Sequence, residues 1–298
     1  MIDLSLDHVG AIVRNLDAGA ERWRRLGFRL SPRSQQMGFA RATGQTEPWA
    51  TSNHCAAFHR GYLELIGVTQ PGLPNPWQHF IDRFEGGHIT ALRCADADAA
   101  FADIAARCDG MQPPVDRRRQ APFRDGTREM RFRNIFSRDD AFPEGRFIVI
   151  EHQTPELIWQ EQLMEHPNGA VALEDVQFFA HDPMPTVRRI TALTGVEPGA
   201  GADGALRFKL AASGAVEVLS PRAFAERFVG APAPASPSVA ACTITVRRVD
   251  AARRMIETGG IGTETRADNA FSVAATDSNG IILVFREQAQ PDASLREP

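Results

Sequence analysis

The sequence predicts an α+β protein assembled from four similar βαβββ units, and the evidence is a repeated segment. The apolar strand 6–13 runs directly into Asn15-Leu16-Asp17-Ala18, which opens a helical pattern. The apolar strand 87–94 runs into Asp96-Ala97-Asp98-Ala99 in the same way. A strand and a helix that return together indicate a duplicated supersecondary unit.

A break in the chain separates units one and two from units three and four. The segment His166-Pro167-Asn168-Gly169 ends an amphipathic run, and Leu173–Phe179 then resembles the first strand of the chain. We therefore predict a metal-bearing domain of two units, a helical linker, a degenerate second domain and a polar tail, which are residues 1–154, 155–169, 170–287 and 288–298.

Units one and two each carry a His on the first strand and a Glu on the last. The pairs are His8 with Glu64 and His88 with Glu151. An inward-pointing acid in an apolar strand is costly unless it is paired or bound to a metal. Two imidazoles and two carboxylates around a pseudo-twofold axis predict one site for Zn, Ni, Co, Mn or Fe(II). The mixed set of nitrogen and oxygen ligands disfavours calcium, which prefers oxygen alone.

The ligand pattern decays in the second half. Unit three has Asp175 and Glu217 at the matching positions, and unit four has Ala240 and Arg286, which bind no metal. The metal site is therefore expected within residues 1–152. One alternative stays open there: His152 faces away from Glu151 in a regular strand, and a bulge would exchange the two.

Several segments carry a resemblance to a known superfamily: Leu6-Asp7-His8-Val9 with Asn15-Leu16-Asp17, then Leu26-Gly27-Phe28, Thr51-Ser52-Asn53-His54 and Tyr62-Leu63-Glu64-Leu65-Ile66. They resemble the vicinal oxygen chelate superfamily, which includes glyoxalase I, extradiol dioxygenases and fosfomycin-resistance proteins. Within it the chain is similar to the glyoxalase-like domain proteins. With the downstream repeats, the resemblance covers nearly the whole chain. It implies two cup-shaped mixed sheets, with a metal held inside one cup by His8, Glu64, His88 and Glu151.

The resemblance also implies a chemistry, in which the metal binds two substrate oxygens and stabilises an enolate or oxyanion. The favoured function is a divalent-metal-dependent lyase or isomerase for a small oxygenated, anionic molecule, with Glu64 as fourth ligand or general base. One alternative is an Fe(II) extradiol-type dioxygenase that uses His8, His88 and Glu151. The other is a metal-free protein that binds a small molecule in the cup.

Five residues are predicted to contact the substrate. Asn53, His54 and His59 belong to a strand expected to line the cup. Arg118 and Arg119 belong to an Arg-rich insert, and a guanidinium pairs bidentately with carboxylate or phosphate. A solvated loop is the alternative interpretation of the insert.

The bulk composition narrows the range of partners. A net charge of −4, with hydrophobic residues at 43%, gives no sign of nucleic-acid or membrane binding. Four Cys without a CxxC pair predict reduced thiols, and the start of the chain lacks the pattern of a signal peptide. We expect a cytoplasmic protein with a small-molecule substrate, for which a homodimer is optional.

Overall fold

The computed structural model describes residues 2–40, 45–124 and 126–288. Most of the predicted tail, residues 289–298, lies outside them. Within the described ranges the strands are β1 Ser5–Val13, β2 Ser34–Ala40, β3 Gln45–Ala57, β4 Tyr62–Val68, β5 Gly86–Arg93, β6 Val115–Phe123, β7 Gly126–Phe136, β8 Arg146–His152, β9 Ala170–Phe179, β10 Gly199–Ala200, β11 Leu206–Lys209, β12 Ala215–Leu219, β13 Ser238–Val246, β14 Glu264–Arg266, β15 Ala270–Val273 and β16 Ile282–Glu287. The α-helices are α1 Leu16–Arg25, α2 Gln78–Arg83, α3 Ala97–Ala105, α4 Glu161–Met164, α5 Pro183–Thr194, α6 Pro221–Arg227 and α7 Val249–Thr258. No helix in these ranges is long and apolar enough to cross a membrane.

The same order of eight strands occurs twice. The first half runs β2-β3-β4-β1-β5-β8-β7-β6, and the second runs β10-β11-β12-β9-β13-β16-β15-β14. In each half the two central strands are antiparallel to each other and parallel to their outer neighbours. Among the described residues, β5 and β13 join the halves through the pair Gly87 and Val239. A Cβ on Gly87 would lie 2.7 Å from the Cβ of Val239, so this close approach requires glycine. The predicted α+β class with a mixed sheet is confirmed.

In units one and two, a side-chain cap begins a helix directly after the first strand. The side chain of Asn15 accepts a hydrogen bond from the amide of Ala18 and begins α1. Asp96 accepts from the amides of Asp98 and Ala99 and begins α3. These two capping residues occupy equivalent places, so they align the strands β1 and β5 of units one and two.

Both central strands of the first half contain a β-bulge. Asp7 is an extra residue in β1, because Leu6 pairs with Leu92 whereas His8 pairs with Ala91. His88 is the matching extra residue in β5. A bulge re-aims side chains beside it, so the regular alternation of faces does not hold at these positions.

One apolar core extends through both halves. It lies on the faces of the sheets that the helices cover, and its buried side chains come from both halves. Phe147 stacks on Phe178 at 5.6 Å between ring centres, and Phe28 stacks on Phe285 at 6.1 Å. The opposite, concave faces carry separate clusters, so each half has its own cup.

Candidate functional site

The first cup encloses a cavity of about 440 Å³, which is in the range usual for small-molecule sites. Its inner end is polar, its walls are apolar and its rim is rich in Arg. The lining includes His8, Tyr62, Glu64, Ile66, Trp77, Ile89, Phe132, Phe136, Ile148, Ile150 and His152, with Arg117, Arg118, Arg119, Arg138 and Arg146 at the rim.

A buried carboxylate holds two imidazoles at the inner end of the cavity. Asp7 Oδ1 accepts a hydrogen bond from His8 Nδ1 at 2.7 Å, and Oδ2 accepts from His152 Nε2 at 3.1 Å. Arg93 Nε also donates to Oδ2, at 3.1 Å. Burial alone would raise the pKa of Asp7, but the two imidazoles outweigh it and hold the pKa well below its usual range. Asp7 is therefore a carboxylate at neutral pH, and it fixes the tautomer of His8 with Nδ1 protonated.

Glu64 faces His8 across a narrow gap. The distance from His8 Nε2 to Glu64 Oε2 is 3.7 Å, which is too long for a direct hydrogen bond. Asn53 Nδ2 donates to Glu64 Oε1 at 2.6 Å, and the ring of Tyr62 stacks on His8 at 4.3 Å. Both reactive atoms are therefore held in place, with a lone pair of each directed at the same space.

The structure does not bring His88 and Glu151 to this cavity. His88 Nε2 donates to the carbonyl of Phe84 at 2.8 Å, and its ring lies against Phe80 and Phe84. Burial lowers the pKa of His88 to about 4, so the imidazole is neutral at pH 7. Glu151 Oε2 accepts from the amide of Ala97 at 2.9 Å, which makes Glu151 a cap of α3.

The reason is a register difference of one residue. The caps Asn15 and Asp96 align His8 with Ile89, and the bulge residue Asp7 aligns with the bulge residue His88. Ile89 does line the cavity, as His8 does. Matching the two His letters directly therefore placed His88 on the wrong face of its strand.

His152 lines the cavity, whereas the sequence pattern favoured Glu151 at this end of β8. It alternates with Glu151 as expected for a regular strand, but it is His152 that points into the cup. Its ring packs edge-on against Trp159, and the guanidinium of Arg93 lies 4.0 Å from the same Trp159 ring. Trp159, seven positions after His152, is the sequence feature that could have indicated a packed position for His152.

The predicted substrate contacts on β3 divide between the two faces of the sheet. Asn53 holds Glu64 and belongs to the site. His54 is buried on the other face, where Nδ1 bonds to the carbonyl of Ser31 and burial lowers its pKa. His59 lies beyond the strand, exposed, with Nε2 3.6 Å from Glu165. His54 and His59 therefore do not contact the cavity.

The predicted Arg residues lie on the rim, where Arg117 joins them. Arg119 Nη1 donates to Asn53 Oδ1 at 3.1 Å and to Ser34 Oγ at 3.2 Å, so it supports the residue that holds Glu64. Arg118 is exposed and Arg117 is half-buried. The insert is an ordered pair of strands, β6 and β7, and not a solvated loop.

The side chains that face the cavity do not fit the predicted metal centre. A zinc-type site needs at least three protein ligands. His8 Nε2 and Glu64 Oε2 are available, but His152 Nε2 is bonded to Asp7. Throughout the part of the chain that the structure describes, no group of three or more His, Cys, Asp or Glu is arranged to hold a metal ion. The second unit contributes apolar side chains, Ile89 and Ile148, where ligands were expected.

The second cup is closed by ion pairs. Glu217, the counterpart of Glu64, pairs with both Arg207 and Arg227, and Arg207 Nη1 also lies 3.5 Å from Asp175 Oδ2. Arg286 does not enter this cluster, because its Nη1 donates to Glu174 Oε1 at 2.9 Å. The guanidinium groups of Arg207 and Arg227 thus neutralise Asp175 and Glu217, the two acids at the matching positions of unit three.

The repeated eight-strand order and the concave site define a protein of the vicinal oxygen chelate fold. A family model for the glyoxalase-like domain matches residues 6–194. The chain belongs to this family. No protein of curated function matches the sequence.

Solved structures with the same fold cover almost all of the chain. A hypothetical protein from Staphylococcus aureus is 13% identical, with a TM-score of 0.63 over 96% of this chain and 100% of its own. A mutant 4-hydroxymandelate synthase from Streptomyces coelicolor is 10% identical, with a TM-score of 0.60 over 98% and 95%. The 2,3-dioxygenase LapB from Pseudomonas sp. KL28 is 12% identical, with a TM-score of 0.56 over 99% and 96%. At these identities the likeness establishes the fold alone.

Proposed function

We propose that the protein is a proton-transfer enzyme of the isomerase or lyase type, acting on a small anionic hydroxycarbonyl compound in the first cup. The observation that carries the proposal is the gap of 3.7 Å between His8 Nε2 and Glu64 Oε2. Each of the two side chains is held through its other polar atom, His8 by Asp7 at Nδ1 and Glu64 by Asn53 at Oε1. A substrate atom on the cavity side of this gap would lie within proton-transfer distance, about 3 Å, of both His8 Nε2 and Glu64 Oε2.

The geometry supports a balanced isomerisation. Glu64 takes the proton from the carbon that bears the hydroxyl, and the C–H electron pair forms the new C=C bond while the carbonyl oxygen gains charge. His8 takes the hydroxyl proton at Nε2 and gives it to the former carbonyl oxygen. Glu64 then returns its proton to the neighbouring carbon. No oxidant or reductant is needed, and Asp7 stabilises His8 while it carries the additional proton.

A second candidate is binding without turnover. The cavity wall is apolar at Ile89, Ile148 and Ile150, so most of a ligand would contact groups that have no chemistry. This candidate and the enzyme differ in one measurable property, the exchange of a carbon-bound hydrogen.

The test is hydrogen–deuterium exchange followed by NMR. Carboxylated 2-hydroxyaldehydes and 2-hydroxyketones are incubated with the protein in D₂O, and signal loss at the hydroxyl-bearing carbon is measured. Glu64→Gln should lower the exchange rate by about 10²–10⁴-fold, the usual contribution of a general base. His8→Gln should slow isomerisation, and His181→Gln, an exposed His of the second half, serves as the matched control.

Two outcomes would overturn the proposal. One is undiminished exchange in Glu64→Gln. The other is exchange that disappears after EDTA treatment and returns with Fe(II), Zn, Ni, Co or Mn, which would restore the metal-dependent function predicted from the sequence. Ligand binding without any exchange across the panel would support the second candidate instead.

A further inference from the structure

Arg117 differs from the other Arg residues that line the cavity. Arg138 donates to Asp140, and Arg146 forms a bidentate pair with Asp139. Arg119 donates to Asn53, and Arg118 is exposed to water. Arg117 is half-buried, and within the described ranges it has neither a hydrogen bond nor an ion pair.

An unpaired guanidinium inside a cavity is unfavourable. The centre of the Phe136 ring lies 5.6 Å from its guanidinium carbon, so, among the residues that the structure describes, a ring face is beside the charge and a carboxylate is not. Burial is the one cause that acts on Arg117, and it lowers the pKa. A desolvated charge of this kind is stabilised when a ligand brings the opposite charge.

The register places Arg117 at a defined distance from the reactive groups. Arg117 pairs with Phe132 across β6 and β7, and Phe132 pairs with His152 across β7 and β8. Directly opposed residues share a face of the sheet, and all three line the cavity. Adjacent strands lie about 4.8 Å apart, so Arg117 and His152 are separated by about 10 Å at the backbone.

We propose that Arg117 binds a single carboxylate of the ligand, and that a planar apolar body lies over Phe132 with its other end at His8 and Glu64. The predicted class is therefore an aryl or alkenyl monocarboxylate. Aromatic and aliphatic walls favour such a body, and Ile66, Ile148 and Trp77 supply them. A second carboxylate would lie against this apolar wall without a partner. The orientation of the ligand rests on the proposed function, but its class rests on the cavity alone.

The experiment is calorimetric titration of the full chain with trans-cinnamate, its neutral amide cinnamamide, and phenylsuccinate as a dicarboxylate. Wild-type protein should bind cinnamate at least about tenfold more tightly than cinnamamide, the difference expected for one charge-assisted contact. Phenylsuccinate should bind more weakly than cinnamate. No turnover is measured, so failure of the proposed reaction leaves this result unaffected.

The matched variants are Arg117→Gln on β6 and Arg131→Gln on β7, which remove the same charge from the same hairpin; Arg131 is exposed and does not line the cavity. Arg117→Gln should weaken cinnamate about tenfold and leave cinnamamide unchanged, which also shows that the cavity is intact. Arg117→Lys should recover part of the loss, because it keeps the charge without the planar fork. Arg131→Gln should change the affinity for neither ligand by more than about twofold.

Three results would refute the assignment: no binding of cinnamate by wild-type protein at millimolar concentration, equal affinity for cinnamate and its amide, or equal losses in the two Gln variants. The last of these would show that the rim acts through its overall charge and not through Arg117.

Discussion

The two cups of the molecule have the same strand order but opposite interiors. At equivalent positions on β4 and β12, Glu64 borders a cavity while Glu217 lies between two Arg side chains. Glu64 is 14% exposed, and Glu217 is 4% exposed. The strands that wall the first cavity, β2, β3, β6 and β7, have short counterparts in the second half. Within the part of the chain that the structure describes, the first cup therefore differs from the second in its long outer strands and in having no Arg paired with its acid, and not in the acid itself.

The largest effect that we predict is a difference between Glu217 and Glu64 in how much each side chain stabilises the fold. Glu217→Gln removes the carboxylate that Arg207 and Arg227 share. Asp175 and Asp203 still lie beside the two guanidinium groups, so the free energy of unfolding should fall by about 3–4 kcal/mol, the lower part of the range for a broken buried pair. Glu64→Gln should change the free energy of unfolding by less than about 1 kcal/mol, because Glu64 lies 3.7 Å from His8 and is held by the neutral amide of Asn53. Urea denaturation at pH 7 measures both, and equal losses would contradict the comparison.

The next largest effect is a loss of stability at acid pH, which we assign to buried His residues outside the second half. Burial lowers the pKa of His88 and of His166 to about 4, whereas His181 of the second half is exposed. The unfolded chain takes up these protons near pH 6.5, so the contribution of these two residues to stability is full above that pH and is lost as the pH falls towards 4. Each buried His should account for about 3 kcal/mol of this loss.

Thermal or urea unfolding across this pH range checks the assignment. His166→Gln should remove about 3 kcal/mol of the decrease between pH 6.5 and pH 4, while His181→Gln should leave the decrease as it is in wild-type protein. A decrease of unchanged size in His166→Gln would assign the acid sensitivity to other groups.

The smallest effect concerns a feature the halves share. Glu151 caps α3 through the amide of Ala97, and Glu287 caps α7 through the amide of Val249, each at 2.9 Å. Glu151→Ala and Glu287→Ala should each cost about 1 kcal/mol, the usual value for a lost cap. Metal analysis of the same variants gives a further criterion. Less bound metal in Glu151→Ala than in Glu287→Ala would return Glu151 to a ligand role.

The sequence was sufficient for the fold because the strand and helix pattern is local and occurs repeatedly. Apolar strands followed by Asn15 and Asp96 mark equivalent places, and those capping roles are visible in the structure. Glu64 and His8 were also within reach, because an acid in an apolar strand near a His is unusual on its own.

The other site residues depended on features that a sequence does not display. Bulges at Asp7 and His88 change which face a side chain takes, and a shift of one residue reverses the assignment of His88, Glu151 and His152. The cations of the second cup come from β11 and α6. Arg207 is the cross-strand partner of Glu217, but this pairing depends on the register of β11 and β12, and the approach of Arg227 depends on how α6 packs. The sequence pattern alone does not specify either.

The apolar core that extends through both halves governs how the molecule comes apart. Phe147 of one half stacks on Phe178 of the other, and Phe28 does the same with Phe285. Separating the halves would transfer these four rings from the interior to water, at a cost of about 1.5–3 kcal/mol for each. The chain should therefore unfold in one cooperative step, and a fragment cut at the linker should aggregate. The second half, whose own cup is closed by ion pairs, therefore stabilises the half that carries the open cavity.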